Sequence, residues 1–242
     1  MRLKIFFCFL ILLFSSSKTF RYANASAFKP ADSKQSSLNW AGYVSNKGNF
    51  NSITGTWIIP KISASGRNYK MDAAWVGIGG VNSSDLIQAG TEAVSGVPGK
   101  VGYLAWYELL PDFAQPVSLA VQAGDSVTVS INRISGLQWQ VILKNNTSGS
   151  QYSKNLSYNS SLSSAEWIEE MPSDSQSQLI PLDNFKMVRF SSGFVRSGRT
   201  TLSIAKSGAL PVTLESSKGK ILAVPSVLQD NGSAFEVKRM HG

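Results

Sequence analysis

From Asn39 onward the chain is a succession of short runs rich in β-branched and aromatic residues, each broken by Gly, Asn, Ser or Pro. Examples are "NWAGYVS", "SITGTWIIP", "AAWVGIGG", "DLIQAGTEAV", "GYLAWYELLP", "DSVTVSINRI" and "WQVILKNN", followed later by "FKMVRFSSGFV" and "AFEVKRM". Runs of this length and composition predict strands. No segment of twelve or more residues keeps a clean helical period. The spacing predicts an all-β domain, a sandwich or a barrel, with no internal repeat and no linker long enough to divide it.

One stretch is ambiguous. "SAEWIEEMP" sets Glu166, Glu169 and Glu170 around Trp167, just ahead of Pro172. Ser163 with Glu166 three residues on forms a capping box, and the proline would end a short surface helix. As a strand, the same residues put Glu166, Ile168 and Glu170 on one face and Ala165, Trp167 and Glu169 on the other. Propensity slightly favours the helix and does not decide the matter.

The N-terminus reads differently. "MRLK", the apolar run "IFFCFLILLF" and the small residues of "YANASA" have the layout of a secretory signal peptide. We take residues 1–25 as signal, 26–37 as a polar leader and 38–242 as one domain, exported and without stable membrane association once the signal is cleaved. The charge balance then changes. Four of the 23 basic residues (Arg2, Lys4, Lys18, Arg21) leave with the signal and no acidic one does. Nineteen then face 15, and the net charge falls from +8 to +4. No basic patch interleaved with aromatics remains, so no nucleic-acid partner is expected.

The single cysteine, Cys8, also lies in the signal, and the single histidine, His241, is next to last. A domain so composed has no thiol nucleophile and no disulfide. A histidine-based triad or a zinc site would have to draw on a terminal residue. If the chain is a hydrolase, its acid and base are carboxylates, amides, Lys or Tyr.

Four stretches in order, "AAWVGIGG", "DLIQAGTEA", "YLAWYELLP" and "SAEWIEEMP", with "NWAGY" ahead of them, resemble the glutamic peptidase (eqolisin) family of secreted acid proteases. The resemblance runs from about Asn39 to about Phe190 and is weaker beyond. It implies an antiparallel β-sandwich of jelly-roll, concanavalin-like type, whose concave face holds a polypeptide substrate. It also implies a monomer that needs no cofactor. The family's catalytic glutamine maps to Gln88 and its glutamate to Glu170, the second of the "AEWIEE" strand rather than Glu166. Trp75, Trp106 and Glu108 map to the same groove. Strand alternation agrees: Trp106 and Glu108 share a face, as do Leu86, Gln88 and Gly90.

The implied pair suits this composition. A glutamate can deprotonate water and then protonate the leaving amine, while the glutamine amide donates to the oxyanion. An unperturbed Glu titrates near ~4.3, which favours acid, and Glu108 near Glu170 would help to hold one shared proton. Two departures stand out. Gly79 replaces an acidic residue common in the family, and Glu169 takes a place where an apolar residue is expected on the inter-sheet face. The latter predicts a bulge or a wet sandwich edge.

Plainer roles exist for each residue. Trp75 and Trp106 would serve equally as sandwich core, as we expect for Trp167; Gln88 as an outward polar residue; Glu108 as the partner of a surface lysine. Two other functions compete with the peptidase. One is a jelly-roll glycosidase working with Glu108 and Glu170, and the other a non-catalytic carbohydrate-binding sandwich.

Overall fold

The structure, a computed structural model, describes residues 28–33, 35–63, 69–97 and 100–240. The signal-peptide assignment, residues 1–25, lies outside them. Sixteen strands follow in order: Gln35–Ser37 (β1), Trp40–Ser45 (β2), Phe50–Ile58 (β3), Lys70–Gly79 (β4), Leu86–Val97 (β5), Lys100–Leu109 (β6), Gln115–Pro116 (β7) and Ser126–Ser135 (β8). Then come Gln138–Asn145 (β9), Gln151–Ser157 (β10), Ala165–Glu170 (β11), Met187–Ser197 (β12), Thr200–Ser203 (β13), Leu210–Glu215 (β14), Ile221–Pro225 (β15) and Phe235–Arg239 (β16). Among the described residues no helix is long and apolar enough to cross a membrane.

The strands join edge to edge in the order β10-β9-β8-β3-β12-β16-β15-β14-β2-β11-β4-β5-β6-β7. This ribbon doubles back on itself. β3 and β8 pack on β4 without pairing to it, and β8 also meets β5. Alternate residues from both halves fill the space between the layers, including Trp57, Val76, Ile78, Val129, Trp139, Val141, Trp167 and Phe190, all fully buried. Period two thus puts one face of each strand into a common core. Part of the polar leader is structured: β1 pairs in parallel with β14.

β11 settles the ambiguous stretch in favour of a strand. Its six residues pair with β2 on one side and β4 on the other. A helix of this length is marginal by itself in water, whereas here both backbone edges are satisfied and Trp167 and Ile168 are fully buried. The Trp167 indole reaches the core as expected and donates to the Thr54 carbonyl at 2.9 Å.

The expectation for Glu169 fails. Its pairing is unbroken on both sides, so there is no bulge, and its exposure is 0%, so there is no wet edge. Its carboxyl instead lies in the interior near those of Asp72 and Asp183, and burial pushes it up.

Candidate active site

The opposite face of β2, β11, β4, β5 and β6 carries a second apolar cluster, separate from the core. It contains Val44, Ala73, Trp75, Leu86, Trp106, Ile168 and Val212, with Trp40 and Leu104 against it. Three cross-strand rows cross this face. The first is Glu166–Gly77–Gln88–Glu108, the second Ile168–Trp75–Gly90–Trp106, the third Glu170–Ala73–Glu92–Leu104. Trp75 and Trp106 therefore belong to this face and not to the inter-layer core. Glycines 77 and 90 leave the floor low between the large side chains. A Cβ on Gly90 would lie 2.2 Å from the Ala74 carbonyl oxygen, so only glycine fits there.

Glu170 is partly exposed at the end of β11 and held by three N–H donors. Its Oε1 accepts from Asn39 Nδ2 at 2.9 Å and from Trp40 Nε1 at 3.2 Å; its Oε2 accepts from Trp75 Nε1 at 2.6 Å. The two indoles meet edge to face, their ring centres 5.1 Å apart. Burial pushes the Glu170 carboxyl up to about 7, against the pull of the three donors, and the Glu108 charge adds to the rise. Desolvation wins here because donors offset only part of the cost of taking a charge out of water.

Gln88 is nearly buried, and its Nε2 donates to Glu108 Oε2 in a short bond. That bond fixes the amide: one N–H faces Glu108, the other is free, and Oε1 is left without a partner. Burial raises the Glu108 carboxyl, partly offset by Gln88 and by the Ala114 backbone. Glu108 therefore pairs with Gln88 and not with a surface lysine. The structure brings Gln88 to Glu108, and Glu170 to Trp75. Gln88 and Glu170 look onto the same face from rows one and three, and no hydrogen bond joins them directly.

Glu166 shares the row of Gln88, yet it is fully buried and burial holds its carboxyl well above the usual range. At Gly79 (φ +98°) a Cβ would meet the Asp85 carbonyl at 2.4 Å and Asp85 Oδ2 at 2.7 Å. The Asp85 carboxylate, which accepts from the Ser161 N–H at 2.7 Å, thus fills the space beside the position where a family acid is missing. Sequence reasoning did not single out Asn39, Trp40 or Glu92 as site residues. The first two are 131 and 130 residues from Glu170 in the chain. Glu92 carried a signal that could have found it, the alternation Gln88, Gly90, Glu92. Burial and the neighbouring Glu170 push its carboxyl up to about 7. Among the described residues no group of three or more His, Cys, Asp or Glu has the arrangement to hold a metal ion.

Comparison with known proteins completes the picture. The model of the Peptidase A4 family matches residues 38–238. The chain belongs to that family. It is a peptidase of the glutamic type, a hydrolase of peptide bonds. Aspergillopepsin-2 of Aspergillus niger is 28% identical over 219 residues, covering 81% of this chain and 76% of the relative. Scytalidopepsin B of Scytalidium lignicola is 30% identical over 194 residues, covering 74% and 72%. Among solved structures, scytalido-glutamic peptidase with a transition-state analogue superposes with a TM-score of 0.71 at 24% identity, covering 84% of this chain and 98% of that one. Aspergilloglutamic peptidase from Aspergillus niger gives 0.63 at 27% identity, covering 71% and 99%. The all-β architecture expected from the run pattern is the architecture of these peptidases.

Proposed function

We propose that this peptidase is a secreted, monomeric endopeptidase that works on the acid side of neutrality with Gln88 and Glu170 as its catalytic pair. One observation carries the reading. Glu170 is a partly buried residue whose carboxyl is gripped by three N–H donors, on the face where the Gln88 amide is pinned with one N–H and its carbonyl oxygen unspent.

Each group then has a task. Ionised Glu170 takes a proton from water as the water oxygen attacks the scissile carbonyl carbon. The free N–H of Gln88 donates to the oxygen that gains charge, and its Oε1 accepts from the water and aims it. Glu170 returns its proton to the amide nitrogen as the C–N bond breaks. Trp75 and Trp106 line the surface on which the substrate chain lies. Glu108 acts as a positioning residue, since a carboxylate cannot donate and so dictates which end of the Gln88 amide faces it.

The glycosidase reading needs Glu108 and Glu170 as its two carboxyls and leaves Gln88 idle. Kinetics on a protein substrate in mild acid separate the two. Folded Gln88→Ala should lose on the order of a hundredfold to a thousandfold in kcat, the cost of removing one oxyanion donor, with KM little changed. Gln88→Glu should fail as well, because its ionised carboxylate offers no N–H. Near wild-type turnover by folded Gln88→Ala would end this mechanism, and hydrolysis of a polysaccharide by that variant would favour the rival.

A further inference from the structure

Behind the strand that bears Glu170, three carboxyls meet in the interior. Asp72 comes from β4 and Glu169 from β11. Asp183 comes from the segment 181–183, which runs parallel to β4 there: Met71 N–H donates to the Pro181 carbonyl at 3.1 Å and Asp183 N–H to the Met71 carbonyl at 3.2 Å. Their exposures are 2%, 0% and 2%. Asp72 lies within hydrogen-bonding reach of both others. Among the described residues no donor serves either oxygen of Glu169, either oxygen of Asp183, or Oδ1 of Asp72.

The groups around them do not supply that donor. Arg239 of β16 gives its Nε to the Asp183 backbone carbonyl and its Nη1 to the carbonyls of Leu222 and Met240. Lys70 of β4 and Arg239 act on Asp183 by charge alone. The Tyr103 hydroxyl of β6 accepts from the Ile62 N–H and makes no bond to the unpartnered carboxyl oxygens, and Glu170 adds negative charge from the far side of β11. Ionised carboxylates only accept, so two of them in contact need a proton between them.

We infer that Asp72, Glu169 and Asp183 form a second carboxyl site, separate from the catalytic face, whose ligand is the proton. One proton in the Glu169–Asp72 contact and one in the Asp72–Asp183 contact bind β11 to β4 and β4 to the 181–183 segment. Both are taken from solvent and return to it as O–H bonds break. The site holds whichever groups of the catalytic face carry the chemistry.

Burial, with mutual repulsion, sets the working range. It holds Asp72 well above the usual carboxylate range, Glu169 at about 8 and Asp183 at about 6. The folded protein therefore binds these protons more tightly than the unfolded chain, whose carboxyls titrate near ~4. Stability from the site is complete below ~4, falls as pH rises beyond that, and is lost as pH passes through the folded values.

The test is thermal unfolding of the full chain between about pH 4 and about pH 8, for wild type and for Asp72→Asn, Glu169→Gln and Asp183→Asn. Wild-type Tm should fall steadily across the range. An amide carries its own N–H donors at every pH, so each variant that folds should show a flatter fall and release about one proton fewer on unfolding near pH 6. A wild-type Tm independent of pH would overturn the inference. So would amide variants that fold and keep the wild-type slope. A rise in Tm at neutral pH on adding calcium would overturn it too, marking a cation site instead. If no variant folds, proton release by wild type, measured calorimetrically in two buffers, decides: release near pH 6 beyond what Glu92, Glu108, Glu166 and Glu170 together can supply supports the site, and release within that amount refutes it.

Discussion

At the scale of single residues, the contest at Glu170 is between hydrogen bonding and desolvation, and it has a readable consequence. Three N–H donors favour the carboxylate, burial favours the acid, and the outcome is about 7. Sequence alone starts from an unperturbed glutamate near ~4.3, with Glu108 helping to hold a proton, and looks for activity in acid. Burial moves the ionisation upward, so as general base Glu170 should give kcat/KM an acid limb near 7, with the ionised minority carrying turnover below it. Glu92, two strands away across Ala73, is coupled to it by charge. Replacing Glu92 by Gln removes a like charge and should move that limb to lower pH, by a fraction of a unit to about one unit. A pH–rate profile checks this, and an unmoved or raised limb would deny the coupling. Glu170→Gln should abolish turnover with the fold intact. Glu166→Gln should keep substantial activity, since its carboxyl, though in the row of Gln88, is fully buried and out of reach of a substrate. Equal loss in both would shift the assignment along β11. Gln88 and Glu170 were singled out through the family resemblance, with strand alternation only agreeing that each shares a face with its neighbours. Asn39 and Trp40 were not, because their contacts with Glu170 depend on β2 pairing with β11, and no local pattern announces a pairing across 130 positions.

At the scale of elements, the two strands that frame the site depend on what is missing from them. Gly90 faces Trp75 in the neighbouring strand, and the space a methyl group would need is taken by the Ala74 carbonyl and by Trp75 Cβ at 2.6 Å. Gly90→Ala should push β5 off β4, costing about 1–3 kcal/mol as overpacking does. It should also turn the Trp75 indole away from Glu170. The paired readout is a lowered Tm with a rise in KM and a fall in kcat; a variant equally stable and equally active would mean that the strands give way freely. β11 shows where sequence reasoning stops at this scale. A capping box and a proline slightly favoured a helix, the family resemblance pointed to a strand, and pairing on both sides shows the strand. The placement of Glu169 was misjudged for a related reason. Alternation put it on the inner face correctly, but a buried carboxyl needs partners, and those partners, Asp72 and Asp183, come from 97 positions earlier and 14 later in the sequence. Seeking a bulge was a way to avoid burying a charge; sharing a proton is another.

At the scale of the whole molecule, the two carboxyl systems lie back to back on β11 and are pushed in opposite functional directions by rising pH. Ionising Glu170 turns on the proposed base. Ionising Asp72, Glu169 and Asp183 removes the protons that join β4, β11 and the 181–183 segment behind it. The protein should then be most effective in a band below neutrality, limited on the acid side by chemistry and on the other side by folding. The two limits differ in kind and can be measured apart. Loss of activity in acid should reverse at once when the pH is raised, because only a proton moves. Loss above neutrality should deepen with time of incubation and persist on return to mild acid, to the extent that the opened chain aggregates or cleaves itself. Glu169→Gln should move the second limit to higher pH and shift the first far less, since its side chain faces the core and reaches Glu170 only by charge across β11. The experiment is a timed incubation at graded pH followed by assay in mild acid, for wild type and variant together. A variant that inactivates over the same range as wild type, or whose acid limb shifts as far as its stability, would show that the two carboxyl systems are not separable.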